Sequence, residues 1–319
     1  SILQRKAKIF TRAYSYSTST YESLLPVFSE NYNQKTGYMK NPTILSNRCR
    51  FIKYAKENGR NIYMYTCGTK YIDDPQIKYA EHPQTITQML WNFLNDLEID
   101  ANGLFYIHML YESHFTFPSP YFKEKHMVVD GTSLFFDFLS TKGSKLRGKY
   151  SSQYDAAMRY IDDTLAPLFN AMTCRTFFFA DHGNNNYEEI ERNGIEGMTP
   201  NDMTACEELL RIPMAVISPE EIEKGENSSL ISLAELNDIA LSLMRKEKFD
   251  YHEKSYIKIG RTAIYNPDYK YIYKHIFHSE HSLCAFEGFI FIDGYKLLVF
   301  SNGTKELYRT NDEYIIQDD

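Results

Sequence analysis

An α/β fold, with a mainly parallel sheet covered by helices on both faces and a small antiparallel sheet at the C-terminus, is predicted by three features of this 319-residue chain. Short apolar runs alternate with segments of helical periodicity over residues 1–250, in the order strand–helix–strand–helix. Two of those runs, Leu104–Leu110 and Thr176–Phe179, pass directly into loops that carry histidine, and open α/β sheets place their chemistry where strands end. Residues 251–319 differ: Phe286–Phe300 is two short strands around Asp293-Gly294, a strong hairpin signal, and Asn302-Gly303 offers a second turn before Lys305–Tyr308. The expected division is an α/β domain over 1–250 and an antiparallel subdomain over 251–319 packed on the same core.

Each element has its own signal. Ile9-Phe10 lead into a hydroxyl-rich turn, Ser15–Thr20, and then an apolar segment with helical character, Ser23–Phe28. Hydroxyls at a helix N-terminus either bind an anion beside the free amides or simply cap the helix. Residues 43–58 read as an amphipathic helix closed by Gly59, and residues 61–67 as a strand. Residues 85–97 read as a helix capped by Thr85, with Leu90, Trp91, Phe93 and Leu94 as its core face. Residues 151–171 and 229–246 read as further helices, and Ile212–Ile217 as a strand between them.

Composition limits the function. The hydrophobic fraction of 43% and aromatic fraction of 15% suffice for a large core, and the net charge of −7 argues against a general nucleic-acid binder. No apolar run reaches the roughly 18 residues of a membrane span, and no signal peptide is visible. The first residue is Ser, which suits an excised domain or a processed product. The five cysteines are odd in number, widely spaced and without C-x-x-C, which points to mostly buried, reduced thiols rather than a disulfide framework. On that ground a cytoplasmic or membrane-peripheral location is favoured, with an extracytoplasmic one open if the chain is an excised domain.

The chemistry centres on Thr176-Phe177-Phe178-Phe179-Ala180-Asp181-His182-Gly183. Asp181 offers a hard oxygen and His182 an imidazole nitrogen, and Gly183 lets the backbone turn close to whatever is bound. The plainer alternative is a strand with a capped turn and a hydrogen-bonded His182. His114 follows the Leu104–Leu110 run in the same topological position, whereas His108 inside that run reads as a core or hydrogen-bonded histidine. His275, His278 and His281, at i, i+3 and i+6, read as exposed or hydrogen-bonded before they read as ligands.

In order along the chain, these segments resemble the alkaline phosphatase/sulfatase superfamily, nearest the phosphoethanolamine and phosphoglycerol transferases. Ser17–Ser23 followed by Phe28-Ser29 is similar to that family's nucleophile segment, with Thr20 at the nucleophile. Ser113-His114 with Pro118 and Tyr121 resembles its substrate loop, and Tyr154–Tyr160 with Asp162 its helix pattern. Phe179–Gly183, Ile212-Pro213-Met214 and Glu306-Leu307-Tyr308 resemble its metal motif, its following strand and its C-terminal triplet. There are departures. The sulfatase Cys/Ser-x-Pro-x-Arg is absent around Thr20, and Glu196–Pro200 stands where a further histidine is usual. The family's first strand carries a carboxylate ligand upstream of the nucleophile, and the expectation is that this chain begins after that point, with the strand lost or removed, or the acid supplied by another segment.

The resemblance implies a metal-dependent transferase with Thr20 as nucleophile and His114 on a phosphoryl oxygen or the leaving group. Asp181, His182, Thr20 and Glu196 would bind a divalent metal, zinc first, with manganese, calcium or magnesium as other choices. The implied substrate is a phosphorylated or sulfated lipid or glycan. A phosphodiesterase or sulfatase-like hydrolase would use the same machinery, and a relative that has lost turnover would only bind an anionic glycan or a partner.

Overall fold

The computed structural model describes residues 2–29, 48–66, 70–80, 85–109, 143–183, 205, 207–217, 223–247, 251, 253–261, 284–310 and 315–318. The chain forms two compact units, one of Leu3–Pro42 with Thr173–Asp319 and one of Thr43–Met172. The expected line at residue 250 falls inside the first of these.

The first unit opens with a short helix, α1 (Ile2–Lys6), and runs into β1 (Ala7–Tyr14), the Ser15–Ser19 loop and α2 (Thr20–Phe28). In the second unit, α3 (Arg50–Glu57), β2 (Ile62–Tyr65), β3 (Ile77–Tyr79), α4 (Ile86–Ile99), β4 (Leu104–Ile107) and α5 (Gly143–Ala171) follow. The chain then returns to the first unit with β5 (Thr176–Phe179), α6 (Glu207–Leu210), β6 (Met214–Ile217), β7 (Gly225–Ser232), a 3-10 turn and α7 (Leu236–Arg245). Strands β8 (Tyr256–Arg261), β9 (Phe286–Phe291), β10 (Tyr295–Phe300), β11 (Lys305–Arg309) and β12 (Ile315–Asp318) complete it.

The sheets are ordered β5-β6-β1-β7 and β12-β11-β10-β9-β8 in the first unit and β3-β2-β4 in the second. The three-stranded sheet is all parallel, and β1 pairs parallel with β7. β6 departs from the expected parallel course: it runs antiparallel to both β1 and β5. It starts at the edge where β5 ends, so it runs back across the sheet rather than crossing over to the far end. Residues 225–232 are a correction as well. The helix expected over 229–246 begins only after Ser232, whose side chain forms a capping box with Glu235. The preceding Ser-rich stretch is β7, held extended by its ladder with β1.

In the second unit α4 begins with a capping box between Thr85 and Gln88. Its buried face is Ile86, Met89, Leu90 and Phe93, one stripe at helical spacing. Trp91 and Leu94, expected in the core, lie roughly 100° and 40° beyond the edge of that stripe at 100° per residue, and Trp91 is 64% exposed. Gly59 closes α3 in the left-handed region at φ +66°, as expected.

The five-stranded sheet is antiparallel throughout, with Gly294 and Gly303 at positive φ in its two expected turns. Its inner face packs Ile259, Ile290 and Leu298 against Tyr14, Leu210 and Leu230, so both sheets of the first unit share one core. Cys49 is a buried free thiol as expected, but Cys174 is exposed and Cys284 half-buried.

Two consequences can be measured. A Cβ on Gly288 would come within 2.8 Å of Leu298 Cδ2, 2.9 Å of Ile259 Cγ1 and 3.0 Å of the Leu297 carbonyl. Gly288→Ala is therefore expected to cost about 1–3 kcal/mol in denaturant unfolding. Burial pushes the Tyr79 phenol, hydrogen-bonded to Ile72 on both its carbonyl and its N–H, up to about 12. A raised phenol favours the folded protein below its ordinary value of about 10, and that stability drains away as pH rises toward the folded value. Unfolding measured between pH 10 and 12 is expected to fall less steeply in Tyr79→Phe.

Candidate active site

β1 and β5 both run antiparallel to β6, so they are parallel to each other and finish at the same edge of the sheet. From that edge β1 sends out the Ser15–Ser19 loop and the first turn of α2, and β5 sends out Ala180–Gly183. The segment before β6 fills the gap between them. Ile212 N donates to Ala13 O at 2.9 Å and Ser15 N to Leu210 O at 2.7 Å, while Ala180 N donates to Pro213 O at 3.2 Å and Gly183 N to Leu209 O at 2.8 Å. Five consecutive residues thus join the two loops as one extra piece of backbone ladder.

Hydroxyls tie the loops together from within. Ser15 is fully buried, and its Oγ lies 2.5 Å from the Asp181 carbonyl, 2.7 Å from the Ser17 carbonyl and 2.7 Å from Ser23 Oγ. One hydroxyl donates a single proton. Ser15 Oγ donating to Asp181 O and accepting the Ser17 N–H at 3.3 Å satisfies the group, and the single Ser23 proton goes either to Ser15 Oγ or to Ser17 O at 2.9 Å. Ser17 Oγ donates to Glu22 Oε2 at 2.8 Å, and Ser19 Oγ reaches the same oxygen at 3.4 Å. Ser19 occupies the N-cap position of α2 without a side-chain cap bond. The capping reading of these hydroxyls is therefore replaced by a network that shapes the loop.

Thr20, the first residue of α2, is left facing the other loop. Its Oγ1 is 3.3 Å from His182 Nε2. His182 Nδ1 lies 2.7 Å from Gly183 O. A carbonyl only accepts, so Nδ1 carries a proton; in the neutral ring Nε2 then offers its lone pair toward Thr20. Asp181 Oδ2 is 3.7 Å from that same nitrogen. The structure brings Thr20, Asp181 and His182 near one another, while His114 and Glu196 lie outside the described residues, as do His275, His278 and His281. His108 meets the Tyr71 hydroxyl through Nδ1 at 2.7 Å, as a hydrogen-bonded histidine should.

Burial raises the Tyr21 phenol, next to Thr20 in the chain. Burial and the Glu207 carboxylate hold Tyr14, at the end of β1, far above its ordinary value. The sequence pointed to the Ser15–Thr20 turn and the Ser17–Ser23 segment but not to the mutual hydrogen bonds of Ser15, Ser17, Glu22 and Ser23, nor to Glu207.

The donor set fits a divalent cation. Zinc binds imidazole nitrogen and carboxylate oxygen at about 2.0–2.2 Å, so tetrahedral ligands stand roughly 3.3–3.6 Å apart. The 3.3 and 3.7 Å separations around His182 Nε2 are of that size. Among the described residues no group of three or more His, Cys, Asp or Glu side chains converges to hold a metal.

A hydroxyl at a helix start facing an Asp-His pair across one sheet edge suits enzymes that handle phosphate and sulfate esters. Residues 1–246 match the Sulfatase family, and the chain belongs to that family, within the alkaline phosphatase/sulfatase superfamily. No curated protein matches it in sequence. A structure solved with its substrate D-glucosamine-2-N,6-O-disulfate is similar at a TM-score of 0.65 and 14% identity, covering 97% of this chain and 85% of that one. The phosphonate monoester hydrolase of Agrobacterium radiobacter is similar at a TM-score of 0.66 and 10% identity, over 98% and 84%. The soluble domain of lipooligosaccharide phosphoethanolamine transferase A from Neisseria meningitidis is similar at 0.52 and 16%, over 75% and 77%. At these identities the likenesses speak for the fold.

Ser15→Ala removes the hydroxyl that joins the two loops and takes its hydrogen bond from the Asp181 carbonyl, while Ser23 still reaches the Ser17 carbonyl. It is expected to lower stability by about 1–3 kcal/mol, read by urea unfolding followed by circular dichroism.

Proposed function

We propose that this chain is a metal-dependent phosphoryl-group transferase of the phosphoethanolamine or phosphoglycerol type, acting through Thr20 on a lipid- or glycan-linked phosphodiester. The observation that carries the reading is the approach of Thr20 Oγ1 to His182 Nε2 at the first turn of α2. It supports reading the threonine hydroxyl as the reacting group in a chain that lacks the Cys/Ser-x-Pro-x-Arg signature.

Asp181, His182 and the Thr20 oxygen would hold the cation, with Glu196 proposed from its place in the sequence. The cation would supply the charge that stabilises the Thr20 alkoxide and the transferring group. Thr20 Oγ1 gives up its proton and forms a bond to phosphorus as the donor's ester oxygen leaves with the bonding pair and takes a proton. An acceptor hydroxyl then attacks the same phosphorus, loses its proton, and the Thr20 oxygen departs and is reprotonated. A helix N-terminus favours negative charge, so the first turn of α2 would suit the transferring group. The hydroxyl network holds Thr20 in position so that little reorganisation is needed during the reaction. His114 is proposed to bind a phosphoryl oxygen or protonate the leaving oxygen. Water in place of the acceptor gives the hydrolase reading by the same steps.

The test is capture of the intermediate. With a phosphodiester donor, mass spectrometry is expected to find the transferred group on Thr20. Thr20→Ala is expected to lose turnover by about 10³-fold or more, with Thr20→Ser partly active. Zinc content by elemental analysis is expected to drop in Asp181→Ala. Full turnover in Thr20→Ala would overturn the reading. Products formed with and without an alcohol acceptor separate transfer from hydrolysis.

A further inference from the structure

The antiparallel sheet carries a lysine on its core face. Lys296, Leu298 and Phe300 alternate inward along β10, and Lys296 is 1% exposed. Its Nζ donates to Ala205 O at 2.5 Å and stands 3.9 Å from Glu207 Oε1. Glu207 is the first residue of α6, and its other oxygen accepts from the Tyr14 hydroxyl at 3.0 Å. The lysine also lies 5.1 Å from the centre of the Tyr308 ring, whose hydroxyl donates to Glu306 Oε2 at 2.5 Å. Burying a lysine and a glutamate is costly even when they are paired, and apolar replacements of buried pairs are often as stable. Stability alone is therefore a weak account of these charges.

Their position suggests another. They grip α6 from both sides: Tyr14 from the end of β1 and Lys296 from β10. The carbonyls of α6 in turn hold the candidate site, Leu209 O taking the Gly183 N–H and Leu210 O the Ser15 N–H. Gly183 O is the acceptor that sets the proton on His182 Nδ1 and so turns Nε2 toward Thr20. We propose that Lys296 and Glu207 are positioning residues for the reaction: by fixing the α6 turn they fix the backbone at Gly183, and through it the ring orientation and tautomer of His182. The proposal rests on the Thr20–His182 reading above. Groups that orient a ligand histidine from behind typically change metal affinity by about 10–100-fold when removed.

The test uses the full chain with ¹⁵N-labelled histidine, metal-free, with the His182 signals assigned by their loss in His182→Gln. Wild type is expected to show a proton on Nδ1 and none on Nε2. In Lys296→Met and Glu207→Gln, with circular dichroism showing a folded protein, the expected result is a mixture of the two tautomers. Zinc alone, titrated by calorimetry, is expected to bind about tenfold more weakly. An unchanged His182 signature and unchanged zinc affinity in both folded variants would overturn the proposal. Should either variant fail to fold, Tyr14→Phe decides by the same two readings: it removes only the bond to Glu207, and an unchanged tautomer there overturns the proposal too. If wild type binds no zinc, the tautomer reading alone decides this proposal, and the metal-dependent function is what has failed.

Discussion

Leu209–Pro213 lies between the two loops of the candidate site and bonds to both through its backbone. That wedge exists because β6 runs against β1 and β5, so the approach to β6 starts at the edge where the other two strands finish. A parallel β6 would have carried those residues to the opposite end of the sheet. Thr20 and His182, 162 residues apart in sequence, come within 3.3 Å because one short backbone segment sets the spacing of their loops.

Side chains then refine what the backbone sets. The Ser15 hydroxyl reaches the carbonyl of Asp181, and the Glu22 carboxylate gathers Ser17 and Ser19. The first turn of α2 is thereby spared its usual capping use of these hydroxyls, and Thr20 is free to face the imidazole. A small set of polar groups, mostly buried, holds a hydroxyl 3.3 Å and a carboxylate oxygen 3.7 Å from one ring nitrogen.

The antiparallel sheet belongs to the same arrangement. Its apolar inner face completes the core under β1 and β7, through Ile259, Ile290 and Leu298 against Tyr14 and Leu230. Its single inward lysine reaches past that core to the turn that holds Gly183. The C-terminal strands thus act on the site from behind, through α6, while contributing none of the three side chains at its centre.

Local pattern was enough to find much of this. The Asp-Gly and Asn-Gly turns announced the β9-β10-β11 meander because few residues accept positive φ. The Thr85–Gln88 box and Gly59 marked helix ends by the same local chemistry. Thr20, Asp181 and His182 were recognisable because each follows or opens an element with a clear signal. What the chain by itself determined is therefore the set of elements and the chemical groups at their ends. Tertiary structure decided the rest. Ser229–Ser232 became strand because β1 offered a ladder, and Trp91 turned outward because only one stripe of α4 is covered. The direction of β6, the grip of Glu207 and Lys296 on α6, and the proton on His182 Nδ1 depend on partners far away in sequence, and no local periodicity encodes such partners.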